Sequence, residues 1–158
     1  MNLFQFDFRR SLTVALITFL LFSCSTYSDK EKAEFEEDIL TYLEEKQLEM
    51  HKLENGMFYR VINQGEGDDF IKLNDRLTFH YTGSFLTGEV FQEISAKNPL
   101  TFRVRELIIG WQDALTMLKN GGEIKIILPP YLAYGDNKTE LIPANSVLFY
   151  HLKVLSVE

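Results

Sequence analysis

Residues 80–94 read HYTGSFLTGEVFQEI and contain the pattern of a strand, a turn and a second strand. Around Tyr81, polar and apolar side chains alternate, and this period of two predicts a β-strand. Thr87 and Gly88 follow as residue types that favour a reversal of the chain. In such a hairpin, the Tyr81 and Phe91 rings could share one face. No nucleophile, metal cluster or phosphate-binding loop accompanies them, so any chemistry here would have to come from aromatic side chains.

Further strands and one short helix are predicted on both sides of this hairpin. Strands are predicted over residues 57–63, 75–85, 89–94, 99–104, 123–129 and 147–158. A helix is predicted within residues 110–122, because Trp111, Leu115 and Leu118 share one face and two glycines end the segment. Several strands around one short helix indicate an α+β domain with a largely antiparallel sheet.

A charged helix is predicted before this domain. Apolar residues recur near the helical spacing from Phe35 to Met50 among many Glu and Lys residues. We expect this amphipathic helix to occupy residues 30–55, with its periodic part over 30–52, and the main domain to occupy residues 56–158. The charged face reads as a solvated surface, and the alternative is a stalk or a homodimer formed through residues 30–52.

The first residues have the composition of a lipoprotein signal peptide. Residues 1–23 contain two arginines followed by an apolar run that is shorter than the ~20 residues needed to span a bilayer. Cys24 is the sole cysteine, so no internal disulfide can form. The segment resembles a lipobox, with Cys24 as the lipidated residue and 24–29 as a tether. Ser25 then favours an outer-membrane lipoprotein facing the periplasm. The alternative is a buried anchor helix.

The remaining composition excludes several functions. A net charge of −7 argues against nucleic acid as a partner, because phosphate binding requires clustered Lys and Arg. No cysteine–histidine spacing matches zinc, no nucleophile elbow occurs, and no metal or cofactor is predicted. His80 reads as a packed or surface histidine. What remains is a set of aromatic residues, either core or binding surface: Tyr81, Phe91, Phe102, Trp111, Tyr134 and Tyr150.

The order of short motifs resembles the FKBP-type peptidyl-prolyl cis-trans isomerases from about residue 53 to the C-terminus. The motifs, in order, are HYTG, TGEVFQ, PLTFRV, ELIIGWQDALTMLKNGG, PPYLAYG and IPANSVLFYHLKVL. The lipobox and the charged helix add a resemblance to lipoprotein members of Bacteroidota-type bacteria, some of them gliding-motility-associated. The resemblance implies a strongly bent antiparallel sheet wrapped around one short helix. It also implies an isomerase that assists folding of extracytoplasmic, proline-containing polypeptides.

The resemblance also implies roles for individual residues of a pocket that acts without covalent catalysis. Trp111 would form its floor, and the backbone N–H of Ile108 would bind a substrate carbonyl. The implied walls and hydroxyl donor are Tyr81, Phe91, Tyr150 and Tyr134. The implied further substrate contacts are Gln92, Leu100, Phe102, Leu107, Ile108, and an overhanging loop with Leu141 and Ile142.

Several positions depart from the family pattern. Gln92 stands where the family usually has Asp, Leu100 replaces a frequent Phe, and Tyr150 stands where Phe is common. Because Gln92 keeps hydrogen-bonding capacity and loses the charge, we expect weakened isomerase activity and poor binding of macrolide inhibitors. The alternatives are a non-catalytic peptide-binding or chaperone module, and a structural lipoprotein subunit that holds a partner's loop.

Overall fold

The computed structural model describes residues 27–158, so the predictions for residues 1–26, including Cys24, lie outside the described residues. Seven strands form the sheet: β1 His51–Lys52, β2 Phe58–Asn63, β3 Arg76–Phe85, β4 Val90–Ile94, β5 Leu100–Arg103, β6 Glu123–Leu128 and β7 Leu148–Val157. Two α-helices are present in this part of the chain: α1 Asp29–Glu45 and α2 Ile109–Leu115. Short 3-10 turns cover Val104–Glu106 and Pro130–Leu132.

All strand pairs of the sheet are antiparallel, in the order β1-β2-β6-β7-β3-β4. One edge of strand β3 pairs with β7, and its other edge is shared by β5 and β4. Its first half pairs with β5, with Phe79 opposite Leu100, and its second half pairs with β4, with Tyr81 opposite Ile94. The predicted α+β class with an antiparallel sheet and a short helix is therefore confirmed.

The main core lies between one face of this sheet and α2. On β3, Leu77, Phe79 and Tyr81 are buried and alternate with partly exposed residues, as the period of two predicts. Helix α2 approaches β6 closely at Gly110, where an added Cβ would lie 2.4 Å from a Leu128 methyl carbon. Glycine at this position therefore lets the helix begin directly against the sheet.

Helix α1 covers the opposite face of the sheet. Its Ile39 and Leu43 are buried against Phe58 and Ile127. Because neighbouring strand residues point to opposite faces, Ile127 faces α1 while Ile126 faces the main core. The sheet is thus packed on both sides, and α1 is an integral layer of the fold.

The structure corrects the end of the predicted N-terminal helix. The helix ends at Glu45, and the next turn contains Gln47 in the left-handed region with φ of 52°. His51 and Lys52 form β1, which pairs with β2, so neither the helix over 30–52 nor its extension to residue 55 is correct. Met50 continued the apolar spacing in the sequence, but it joins the same apolar cluster from the segment after the turn.

Two other boundaries also differ from the predictions. Asn55 and Gly56 do not end a helix but form the turn between β1 and β2, where Gly56 has φ of 95°. The predicted tether over 24–29 fails for its described part, because Tyr27 is buried and Asp29 already belongs to α1.

None of the helices within residues 27–158 has the length and apolarity needed to cross a membrane.

Glu123 on β6 links to two side chains on β7. Its carboxylate accepts a hydrogen bond from Lys153 Nζ at 2.9 Å and lies 2.7 Å from His151 Nε2. The bond from Lys153, opposed in part by burial and reinforced by His151, holds the pKa of the Glu123 carboxyl below its usual value. The native fold therefore favours the ionised form of this carboxyl.

We expect Glu123→Gln to lower the free energy of unfolding by about 1 kcal/mol at pH 7 and by much less at pH 3. The folded-state pKa of Glu123 is depressed, so its stabilisation is complete above the unfolded-state pKa and is lost as pH falls through the folded-state value. Urea unfolding at both pH values measures this difference. Glu93→Gln, on an exposed position of β4, is the control. An equal loss at both pH values would contradict the prediction.

Candidate functional site

An open cavity of about 220 Å³ lies where β3 and β5 meet the start of α2. We call this cavity the slot. Nine residues line it: Phe79, Tyr81, Leu100, Phe102, Glu106, Leu107, Ile108, Trp111 and Tyr134. Most of these side chains are aromatic or aliphatic, so the slot suits an apolar ring flanked by a few polar groups.

Trp111 forms the floor of the slot. Its ring meets three others edge-on, with centroid distances of 4.7 Å to Tyr81, 5.0 Å to Tyr150 and 5.7 Å to Phe79. Such edge-to-face contacts are favourable and fix the orientation of the indole. The indole N–H is buried and has no hydrogen-bond partner among residues 27–158. An acceptor on a bound molecule would satisfy this donor.

Tyr81 forms one wall and brings a neutral hydroxyl to the slot. This hydroxyl donates a hydrogen bond to Gln92 Oε1 at 2.5 Å. Burial, with a smaller contribution from Tyr134, raises the pKa of Tyr81 to about 12. Tyr81 therefore stays protonated throughout the physiological pH range. Its hydrogen bond to Gln92, which lies behind the slot lining, orients the hydroxyl.

Tyr150 and Phe91 form a second aromatic layer behind the floor and do not line the slot. Tyr150 is fully buried, and its ring packs edge-on against Phe91 at 5.8 Å. Burial raises the pKa of Tyr150, and the Tyr134 and Tyr81 hydroxyls add to this effect. A Cβ at Gly83 would lie 2.6 Å from Phe91 and 2.8 Å from Tyr150, so glycine at this position makes room for both rings.

The rim of the slot is built by the segment that leads into α2. The 3-10 turn Val104–Glu106 anchors it through the buried Val104, and Leu107 and Ile108 then follow in extended conformation. The Gln112 side chain donates a hydrogen bond to the Leu107 carbonyl at 2.7 Å, which ties the rim to the helix. Ile108 is the N-cap of α2.

The structure brings together seven of the twelve residues that the sequence suggested for the site. These seven line the slot: Tyr81, Leu100, Phe102, Leu107, Ile108, Trp111 and Tyr134. Gln92, Phe91 and Tyr150 lie behind it. Leu141 and Ile142 are outside the lining, since Leu141 is half exposed and Ile142 is packed in the core. The functional roles of all twelve remain predictions.

Sequence reasoning missed two residues of the lining. Phe79 lies two positions before Tyr81 on β3, so the period of two places both on the same face. Glu106 follows Arg103 and Arg105 in the sequence, and its carboxylate accepts a hydrogen bond from the Arg103 backbone N–H at 3.0 Å. Within the described residues, no group of three or more His, Cys, Asp or Glu side chains is placed to hold a metal ion.

Comparison with known proteins gives a consistent family match. The model of the FKBP-type peptidyl-prolyl cis-trans isomerase family matches residues 67–155. The chain is 37% identical over 108 residues to FkpA of Buchnera aphidicola subsp. Schizaphis graminum, covering 68% of this chain and 43% of that protein. It is also 37% identical over 108 residues to Mip of Coxiella burnetii, covering 67% and 46%. The chain thus spans less than half the length of these curated relatives.

Solved structures show the same similarity. The crystal structure of FkpA from Escherichia coli matches with a TM-score of 0.70 and 30% identity, covering 98% of this chain and 74% of that one. The crystal structure of AtFKBP13 matches with a TM-score of 0.61 and 28% identity, covering 70% and 99%. The match to FkpA therefore includes nearly the whole chain.

Proposed function

Because the chain belongs to the FKBP-type peptidyl-prolyl cis-trans isomerase family, we propose that it accelerates rotation about the peptide bond before proline in polypeptide substrates. The observation that carries this proposal is the slot itself, an apolar cavity of about 220 Å³ with the Trp111 indole as its floor. A cavity of this kind can hold a prolyl ring and leave the two flanking chain segments outside.

The reaction needs no covalent intermediate. Resonance gives the peptide C–N bond partial double-bond character and a rotation barrier of ~18–20 kcal/mol. The twisted transition state has lost much of this resonance and has a smaller carbonyl dipole than the planar ground state. A dry apolar slot therefore disfavours the planar state more than the twisted state. Each ~1.4 kcal/mol of such preference gives a tenfold acceleration.

The side chains of the slot divide this work between apolar contact and hydrogen bonding. Trp111 offers a rigid aromatic surface, because three neighbouring rings fix it. We infer from the family pattern that the Ile108 backbone N–H binds a substrate carbonyl and that the Tyr134 hydroxyl contacts the peptide. Tyr81 adds a neutral hydroxyl whose direction is set by Gln92.

The test is an isomerase assay on the full chain, purified in detergent. The exchange rate between cis and trans forms of a short proline peptide is measured by NMR with and without a catalytic amount of the protein. Acceleration proportional to protein concentration is the expected result. Exchange at the uncatalysed rate would overturn the proposal.

A second candidate is a binding or chaperone module that holds proline-containing segments without accelerating rotation. Gln92 favours this candidate, because it stands where the family usually has a carboxylate. A refolding assay limited by proline isomerisation separates the two functions. An isomerase raises the rate of the slow phase, whereas a pure binding module suppresses aggregation and leaves that rate unchanged.

We expect Gln92→Asp to raise kcat/KM about threefold to tenfold and to tighten binding of a macrolide inhibitor. Asp could still accept the hydrogen bond from Tyr81 and would add a negative charge beside the slot. NMR exchange rates on both proteins measure the gain. Gln92→Asn shortens the side chain equally without a charge and is the matched control. A similar gain in Gln92→Asn would show that length, not charge, limits the rate.

We further propose that the chain is a lipoprotein anchored through Cys24 and acting as a folding factor at the outer membrane, facing the periplasm. The support is the order of two arginines, an apolar run and the sole cysteine in residues 1–24. Fatty-acid labelling that is lost in Cys24→Ser tests the anchor. Digestion of the domain by protease on intact cells would contradict the periplasmic side. The gliding-motility association stays a prediction.

A homodimer through the N-terminal helix would have to use its outer surface. Ile39 and Leu43, the residues that an apolar dimer seam would need, are buried against the chain's own sheet. Leu40 is half exposed and is the apolar residue that α1 could still offer to a second copy. Light scattering of the purified chain measures the oligomeric state, and the mass of a single chain would contradict the homodimer.

A further inference from the structure

Tyr27 lies two residues before the first residue of α1 and is buried against the loop that joins β6 to β7, residues 129–147. Its ring is edge-on to Phe35 at 5.4 Å and tilted against Tyr131 at 6.1 Å. Its hydroxyl donates a hydrogen bond to Asn145 Oδ1 at 2.6 Å. Burial raises the pKa of Tyr27, so this hydroxyl remains protonated and able to donate. We call this set of contacts the Tyr27 clamp.

Asn145 connects the Tyr27 clamp to the slot. It has φ of 61°, in the left-handed region that Asn tolerates better than most residues. Its backbone N–H donates a hydrogen bond to the Gly135 carbonyl at 2.9 Å. Gly135 directly follows Tyr134, whose side chain lines the slot. The Tyr27 hydroxyl is therefore connected to a wall of the slot in three steps: its hydrogen bond to the Asn145 side chain, the hydrogen bond from the Asn145 N–H to Gly135, and the peptide bond between Gly135 and Tyr134.

Tyr27 is itself held in a fixed position. The next residue, Ser28, is the N-cap of α1 and forms a capping box with Glu31. Its side chain accepts a hydrogen bond from the Glu31 backbone N–H, and its own backbone N–H donates to the Glu31 carboxylate. Ile39 and Leu43 then fix α1 to the sheet. A packed element thus presents Tyr27 to the loop.

We propose that Tyr27 and Asn145 are positioning residues that hold Tyr134 in place at the slot, an inference that rests on the proposed isomerase function. Tyr27 lies outside the segment matched by the family model, residues 67–155. The active unit of this chain therefore extends beyond the family domain and includes α1. Without the hydrogen bond from Tyr27 to Asn145, the loop would open locally at a lower free-energy cost, and Tyr134 would spend less time at the slot.

The test compares single substitutions in the full chain by the NMR exchange assay. Tyr27→Phe removes only the hydroxyl and should lower kcat/KM about threefold to tenfold. Asn145→Gly removes the acceptor, tolerates the left-handed backbone and should give a similar loss. Asn145→Asp retains an acceptor oxygen and should stay within about twofold of the unsubstituted chain. Tyr59→Phe removes a tyrosine hydroxyl on β2, beside His51 and outside the slot lining, and should change nothing.

A double substitution distinguishes positioning from a general loss of stability. If Tyr27 acts through Tyr134, adding Tyr27→Phe to Tyr134→Ala should cause no further loss of kcat/KM. Hydrogen exchange at the Gly135 and Asn145 amides should also become at least threefold faster in Tyr27→Phe. Full additivity of the two substitutions, or unchanged activity and exchange in Tyr27→Phe, would overturn the proposal.

The same variants remain informative if the isomerase proposal itself fails. A chain that does not accelerate exchange refutes that function, and the clamp is then judged by affinity for a proline peptide. Trp111 is the sole tryptophan of the chain and lines the slot, so its fluorescence reports binding. A threefold or greater loss of affinity in Tyr27→Phe supports the positioning role, and unchanged affinity overturns it.

Discussion

Trp111→Ala should lower kcat/KM for a proline peptide by roughly 100-fold, which corresponds to ~2.7 kcal/mol of transition-state stabilisation. The substitution removes the floor of the slot and lets water reach the space in which the prolyl ring would lie. The planar peptide bond would then be solvated, and the preference for the twisted state would largely disappear. NMR exchange at several protein concentrations measures the loss.

A matched control is needed because Trp111 also holds the core together. It packs edge-on against Phe79, Tyr81 and Tyr150, and truncating a buried aromatic residue typically costs ~3–5 kcal/mol of stability. Leu115→Ala makes a large-to-small change in the same helix, at a fully buried position outside the slot. We expect it to lower stability and to retain activity in the folded fraction. Equal loss of activity in both variants would contradict the role of Trp111.

Strand β3 could be predicted from sequence because one of its faces lies on the core. Leu77, Phe79 and Tyr81 alternate with partly exposed residues on β3, and this periodicity survives in the structure. The end of α1 could not be predicted in the same way. Met50 extends the helical spacing of apolar residues, but it reaches the same cluster after a turn at Gln47. Apolar periodicity records which face is buried and does not record where the chain reverses.

The site was predictable where its residues follow motif order and unpredictable where packing decides. Trp111 and Tyr81 line the slot as the family resemblance implies. Ile142 does not, because its backbone N–H is bound to Thr139 Oγ1 at 2.9 Å and its side chain is packed inward. The contact of Tyr27 with the loop could not be predicted from sequence, because its partner Asn145 lies 118 residues away and only the tertiary fold brings them together.

The contribution of α1 follows from one side chain at its centre. Ile39 is fully buried between α1 and the sheet, where it joins Leu43, Phe58 and Ile127. Because α1 and the sheet enclose Ile39 from both sides, the neighbouring side chains have little freedom to fill the cavity that a smaller residue would leave. The two-sided packing of the sheet and the position of Tyr27 both depend on this contact.

Ile39→Ala should therefore lower the free energy of unfolding by ~2–5 kcal/mol in urea titrations of the full chain. Leu40→Ala changes the neighbouring, half-exposed residue of the same helix and should cost less than about 0.5 kcal/mol. An unchanged midpoint in Ile39→Ala would mean that α1 is a peripheral attachment. A large loss, accompanied by faster amide exchange at Asn145, would show that the helix stabilises both the sheet and the loop beside the slot. The N-terminal helix would then belong to the isomerase unit in stability as well as in geometry.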